Sequence, residues 1–344
     1  MQRASGSMSR PKRAPPRAGP KRAPVVDSLA PDAEAFLALL AQGTQPSFRG
    51  MSVEDARAAV SQMGALFDEA PEADVGSVDG RCPADGHGLP VRCYTPVGAA
   101  GDGPIILFAH GGGWVTGDLD GYDSFCRFLA LRSGWRVASV DYRRAPEAVF
   151  PAALDDMRSA ARWIASGLSP LGPVGGIVLA GDSAGGGLVA ALAAHSRAEE
   201  FDLRALLLLY PALDLSRRSP SYTAFAEGHL LTADDMDYFI ASYVPDPERR
   251  SDPACSPLLG VATASLPPVV VLTCSHDVLR DEGRAYVEAC RAIGASVRHL
   301  EAEGHVHGIA TLRKVIPSGV SHLERAIGEL REISTQVMNE LKIK

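Results

Sequence analysis

The amino-acid sequence predicts an α/β fold, a mostly parallel sheet with helices on its faces. Short and almost wholly apolar runs at residues 104–109, 176–180, 203–210 and 268–274 read as strands buried on both faces. They alternate with longer segments of helical character, among them the alanine- and leucine-rich 183–194. Between one such strand and that helix lies Gly181-Asp-Ser183-Ala-Gly185, a G-x-S-x-G pattern in the strand–turn–helix context it requires. A chain of 344 residues that is 46% hydrophobic can bury the core of one large α/β domain with an accessory cap.

Taken in order, residues 1–26 hold seven basic side chains and no acid, which leaves the remainder near −14 against a whole-chain charge of −7. With almost no apolar residues, the stretch 1–28 is expected to be a disordered basic tail, and it has no apolar centre that would make it a secretory signal. Residues 29–75 predict two helices, one starting at a capping Asp32 and one at Ser52 with Asp55 three residues on. They precede the first expected strand, at 89–95, so they are assigned to a cap. After the strand at 104–109 comes His110-Gly-Gly-Gly-Trp114, where successive glycines let backbone N–H groups approach a ligand atom. In lipases and esterases such a loop donates to an oxyanion.

A strand at 136–142 and a helix from Phe150 follow, with Arg143, Asp155 and Asp156 read as scaffold ion pairs. At Ser183 the tight turn lifts a hydroxyl clear of the sheet beside a helix N-terminus, where free N–H groups favour developing negative charge. The rhythm breaks at 215–260, where aromatic residues mix with polar ones and Thr232 to Asp235 matches a capping box. That insertion is expected to be the second part of the cap and a wall of the substrate pocket, with Trp114, Tyr210, Phe225 and Leu231 as lining residues. The strand at 268–274 ends next to Asp277, a place from which a carboxylate can orient an imidazole. A strand at 296–301 leads to Gly304-His-Val-His307-Gly308 and a closing amphipathic helix around 320–330. The catalytic domain is therefore expected over 76–214 and 261–344.

Ser183, Asp277 and His307 occur in the order nucleophile, acid, base, which differs from the orders of chymotrypsin-like and subtilisin-like enzymes and matches α/β-hydrolases. A serine needs a neutral imidazole to take its proton, and the imidazole needs an ionised carboxylate to hold its tautomer and balance its transient charge. His305 competes for the role of base, and Asp214 and Asp281 for that of acid. His307 is preferred because Gly308 follows it in a loop after the last strand, and Asp281 is expected to cap the next helix.

Together, His110-Gly-Gly-Gly-Trp114, Asp141-Tyr-Arg-Arg-Ala-Pro-Glu147, Gly181-Asp-Ser-Ala-Gly-Gly186, Asp277-Val-Leu-Arg-Asp-Glu-Gly283 and His307-Gly308 resemble the hormone-sensitive-lipase-like branch of α/β-hydrolases, the bacterial family IV esterases. The resemblance spans roughly residues 75–310. It implies the α/β-hydrolase fold, with an eight-stranded, mostly parallel sheet flanked by helices under a helical cap. It also implies hydrolysis of short- to medium-chain acyl esters, with oxyanion donors from Gly112, Gly113 and Ala184. Two positions depart from the family pattern: Val278 stands where proline is usual and Ile309 where phenylalanine is usual. Neither removes a functional group. The same machinery serves amidases and peptidases, and the fold also hosts receptors that lack the catalytic histidine.

The expected partner is a small-molecule ester. Net charge argues against nucleic acid, and no stretch of about 18 unbroken apolar residues suggests a membrane span. Relatives in the branch often dimerise, so a homodimer is the protein partner that the resemblance allows. Six scattered cysteines without a C-x-x-C pair read as reduced thiols of a cytoplasmic protein, with no metal site and no cofactor expected.

Overall fold

The computed structural model describes residues 28–43, 47–84, 86, 88–196 and 200–343, so the basic tail expected over 1–28 lies outside the described residues except for Ser28. One sheet of eight strands carries the chain, in the order β1–β2–β4–β3–β5–β6–β7–β8. The strands are β1 (Val75–Cys82), β2 (Leu89–Pro96), β3 (Ile105–Ala109), β4 (Arg136–Val140), β5 (Ile177–Asp182), β6 (Leu203–Leu209), β7 (Val269–His276) and β8 (Val297–Val306). β2 pairs antiparallel with β1 and with β4, and the other neighbouring pairs are parallel.

Alternation along the central strands divides the core in two. Ile105, Leu107, Ile177, Leu179, Leu206 and Leu208 face α4 (Ala152–Ala165), α5 (Ser183–His195) and α8 (Arg280–Ala292). Ile106, Phe108, Val178, Ala180, Leu207 and Leu209 face α3 (Asp123–Ser133) and α9 (Val320–Ile343). Because both faces are covered, the strands must be apolar throughout, which is why they stand out in the sequence.

β1 was not expected. It is an edge strand buried only at Val75 and Cys82, and the glycines and polar residues between them give no apolar signal. β8 is also longer than expected. It runs through Gly304 and His305, so His305 belongs to the strand and His307 begins the loop beyond it.

Four further helices lie outside this frame: α1 (Pro31–Leu40), α2 (Val53–Phe67), α6 (Pro220–Ala224) and α7 (Ala233–Tyr243). Ser52 caps α2 by accepting the Asp55 N–H at 3.0 Å. Thr232 and Asp235 close a capping box on α7. Asp32 does not cap α1: the cap position is Ala30, and the Asp32 carboxylate sits one residue into the helix, bonded to Ser318. Asp281 likewise does not cap α8; it accepts the Ser221 N–H at 3.0 Å and so holds α6. α1 packs through Ala33 and Phe36 on Val306, Leu312 and Ile316. Phe48 meets Phe239 of α7 with ring centroids 4.9 Å apart. The N-terminal segment thus reaches both the end of β8 and the 215–260 insertion. Among the described residues no helix is long and apolar enough to cross a membrane, and all six cysteines are buried and unpaired.

Candidate active site

Ser183 sits between β5 and α5 with φ of 53°, a left-handed backbone that a residue with a side chain adopts only where its surroundings impose it. The flanking glycines explain the imposition. A β-carbon on Gly181 would lie 2.5 Å from the Gly185 carbonyl, and one on Gly185 would lie 2.0 Å from the Ala109 oxygen. Backbone from β3, β5 and α5 therefore meets with no room for side chains at those two positions, and the serine is the residue that projects.

His307, in the loop that follows β8, reaches this hydroxyl. Its Nε2 is 2.8 Å from Ser183 Oγ, and its Nδ1 is 2.8 Å from Asp277 Oδ2. A carboxylate only accepts, so Nδ1–H donates to Asp277 and Nε2 is left to accept the serine O–H. The second oxygen of Asp277 accepts the Leu279 N–H at 2.9 Å, which fixes the carboxylate plane. Asp277 is buried, while Ser183 and His307 keep 9% and 8% of their surface and edge an open cleft. The rival residues bond elsewhere. Asp214 accepts from Ser216, Asp281 from Ser221 and Arg280, and the His305 ring lies against Ser318.

The glycine loop is welded to the serine turn from behind. Gly111 N–H donates to Asp182 Oδ1 at 2.7 Å and lies 3.1 Å from the Tyr122 hydroxyl, which itself donates to Asp182 Oδ2 at 3.0 Å. The Gly112 carbonyl accepts from the N–H groups of Val115 and Thr116 and from the Thr116 hydroxyl. No hydrogen bond among the described residues takes up the N–H of Gly112 or Gly113. Ala184 is in the first turn of α5, where N–H groups have no partner within the helix. Burial pushes the Asp182 carboxyl up to about 6 and holds His110 down at about 4. His110 is thus a neutral structural residue, its Nδ1–H donated to the Gly111 carbonyl and its ring stacked on Tyr142.

Above these groups lies a cleft of about 780 Å³. Gly112, Gly113, Ser183 and His307 line it, with apolar walls from Met51, Met63, Phe67, Leu230, Leu231 and Phe239. Of the four side chains expected to line the pocket, only Leu231 does so. Trp114 does not reach the cleft: it is buried and stacks on Tyr243 with ring centroids 4.8 Å apart. Tyr210 lies under the histidine, edge-on to the His307 ring at 4.8 Å, and accepts the Ala310 N–H. Phe225 packs on His276, with the Arg280 guanidinium over its face. The walls from α2 and α7 carry only a faint signal in the sequence. Val60, Met63 and Phe67 recur at helical spacing on one side of α2, as do Met236 and Phe239 on α7. Among the described residues no group of three His, Cys, Asp or Glu could hold a metal ion.

Residues 106–311 match the model of a family described as having the alpha/beta hydrolase fold. An ethyl acetate hydrolase of Pseudomonas putida is 35% identical over 316 residues, covering 89% of this chain and 94% of that protein. The carboxylesterase NlhH of Mycobacterium tuberculosis is 36% identical over 248 residues, 71% of this chain and 78% of that one. Among solved structures, a thermostable esterase from Pseudomonas putida ECU1011 superposes with a TM-score of 0.80 at 31% identity, covering 91% of this chain and 97% of that one. An ester hydrolase from the metagenome of Lake Arreo, bound to a derivative of bipyridine phosphonate, gives 0.82 at 35% identity over 88% and 98%.

Proposed function

The chain belongs to the α/β-hydrolase fold family, in its hormone-sensitive-lipase-like branch, and is a carboxylic ester hydrolase; from that premise we propose that it hydrolyses short- to medium-chain acyl esters through an acyl-enzyme on Ser183. The observation that carries the assignment is the unbroken line from Ser183 Oγ through both nitrogens of His307 to Asp277. In the first half-reaction Ser183 Oγ attacks the acyl carbon as His307 Nε2 takes its proton, and Asp277 balances the imidazolium that forms. The carbonyl oxygen becomes an oxyanion among the N–H groups of Gly112, Gly113 and Ala184, donors already oriented before charge develops. His307 then gives its proton to the departing alcohol. In the second half-reaction water, deprotonated by His307, attacks the acyl carbon; Ser183 leaves and recovers its proton, and the acid departs.

The apolar cleft supports neutral, modestly sized acyl and alcohol groups as substrates. α1, α2 and the 215–260 insertion act in this reading as a cap that supplies the walls. A profile of p-nitrophenyl esters from C2 to C12 tests it, with kcat/KM expected to peak below C8 and to fall by C12. A C12 optimum would overturn the chain-length assignment. Stoichiometric labelling of Ser183 by an organophosphonate separates an enzyme from an inert receptor on the same fold. Comparing p-nitrophenyl butyrate with a p-nitroanilide separates an esterase from an amidase.

A further inference from the structure

His305 is buried two residues before the proposed base, yet its ring belongs to a different set of contacts. Its Nδ1 lies 2.7 Å from the Glu303 carbonyl oxygen and its Nε2 lies 2.8 Å from Ser318 Oγ. Ser318 in turn meets Asp32 of α1 twice: its hydroxyl lies 2.7 Å from Oδ1 and its N–H donates to Oδ2 at 2.8 Å. A proton inventory decides what this chain of contacts requires. The Glu303 carbonyl and the Asp32 carboxylate can only accept, so Nδ1–H donates to the first and the serine O–H to the second. The serine has then no proton left for Nε2. All the contacts are hydrogen bonds together only if Nε2 also carries a proton, that is, if His305 is an imidazolium balanced through Ser318 by Asp32. The other charged and titratable neighbours come from α9. The His322 ring lies 4.9 Å from that of His305, and the Arg325 charge acts on His322. Asp32 is the acid that α1 contributes.

The same strand end is gripped at two more points. Ala30 N–H, at the start of α1, donates to the Gly304 carbonyl at 2.8 Å. Gly304 N–H donates to Ser275 Oγ at 2.8 Å, two residues before Asp277. The N-terminal helix, the end of β7 ahead of Asp277 and the end of β8 ahead of His307 therefore share one hydrogen-bonded junction.

We propose that Asp32, Ser318 and His305 form a positioning relay, in which α1 holds His305 doubly protonated and thereby fixes the strand end that delivers His307 to Ser183. The inference rests on the reading of His307 as general base and adds a requirement to it. Two histidines two residues apart must hold opposite protonation states, 305 charged and 307 neutral. Because displacement of a reacting group by about 1 Å can lower a rate by about 10²-fold, loosening the relay should act on kcat rather than on substrate binding.

The test uses the full chain with Asp32→Asn, Ser318→Ala and their double variant, p-nitrophenyl butyrate as substrate, and ¹⁵N-imidazole spectra. Each single variant is expected to lose about tenfold in kcat with KM within twofold, and the double variant to lose no more than Ser318→Ala alone. The spectra should show His305 with two protons in the parent at a pH where His307 has one, and with one proton in Asp32→Asn. A kcat within twofold of the parent would overturn the relay, even if the melting temperature drops, because α1 would then only dock. Multiplicative losses in the double variant would overturn it too, as would a singly protonated His305 in the parent. If Asp32→Asn fails to fold, Ser318→Ala decides by the same kcat criterion. Phosphonate labelling of the parent is the separate control: no label at Ser183 would remove the esterase site itself, whatever the relay variants do.

Discussion

Asp182 Oδ1 accepts the Gly111 N–H at 2.7 Å, and so two motifs 71 residues apart in the chain are one hydrogen-bonded unit. The residue that precedes the proposed nucleophile holds the loop that carries two of the proposed oxyanion donors. The arrangement keeps a carboxylate buried beside aromatic rings, and that burial has a consequence for stability.

Burial raises Asp182 from 3.8 to about 6, so as the pH falls the native state takes up this proton before the unfolded chain does. Between about pH 6 and 4 the group therefore adds stability as the solution is acidified, on the order of 3 kcal/mol for a shift of about two units at 1.36 kcal/mol each. His110 has the opposite sign. Lowered from 6.5 to about 4, it stays neutral in the fold while the unfolded chain protonates, and stability is lost over the same window. The two nearly offset in the parent. Asp182→Asn is expected to expose the His110 contribution: urea unfolding should show the parent gaining about 3 kcal/mol over the variant from pH 7 to pH 4. A difference that stays flat across that range would show that Asp182 does not titrate there.

Ser183→Ala and His307→Ala are each expected to lower kcat by about 10⁴ or more while leaving the far-ultraviolet spectrum unchanged, and Asp277→Asn by about 10⁴ through the wrong imidazole tautomer. Asp214→Asn should keep most activity, since among the described residues its carboxylate bonds to Ser216 and Arg217 and not to an imidazole. The His305→Ala variant should lose about tenfold, in line with a positioning role. Steady-state kinetics on p-nitrophenyl butyrate distinguish these cases, and a larger loss at 305 than at 307 would reassign the base.

At Gly113 the backbone has φ of 60°, and a β-carbon would lie 2.2 Å from Cγ of Phe239. Gly113→Ala should therefore shift the loop and lower kcat by about 10²–10³, the usual effect of losing one oxyanion donor. Adding Phe239→Ala should recover part of that loss by removing the clash. Failure of the double variant to recover any activity would place the defect in backbone strain alone.

Arg313 makes a two-pronged ion pair with Asp68, Nε to Oδ1 at 2.7 Å and Nη2 to Oδ2 at 2.8 Å, with both side chains almost wholly buried. The pair joins the end of α2 to the segment after His307. Arg313→Leu strands a buried carboxylate and should cost about 3–5 kcal/mol in denaturant unfolding. Combining it with Asp68→Leu should return much of that, because removing both partners leaves no uncompensated charge.

The serine turn and the glycine loop were legible because each is a local demand written into adjacent residues, and the order Ser183, Asp277, His307 because each candidate follows the end of an apolar strand. Gly181 and Gly185 have no alternative where backbones approach so closely, and the apolar 104–109 and 268–274 mark strands covered on both faces. β1 escaped notice because an edge strand with solvent on it carries no such mark. The position of Asp32 before an apolar run is that of a helix cap. Its partner, Ser318, is 286 residues away, and no local pattern announces a bond of that span.

The amino-acid sequence alone thus determined the buried strands, the strained serine turn and the chemical types that can move a proton, since these depend on local backbone geometry and on burial. Only the tertiary structure decided which distant side chains meet. Met63 and Phe239 form the pocket wall while Trp114 and Phe225 turn away, and His305 joins α1 while His307 joins Ser183. The physical reason is that periodicity records whether a side chain is buried, whereas its neighbours are set by strand order and by how the helices above the sheet pack.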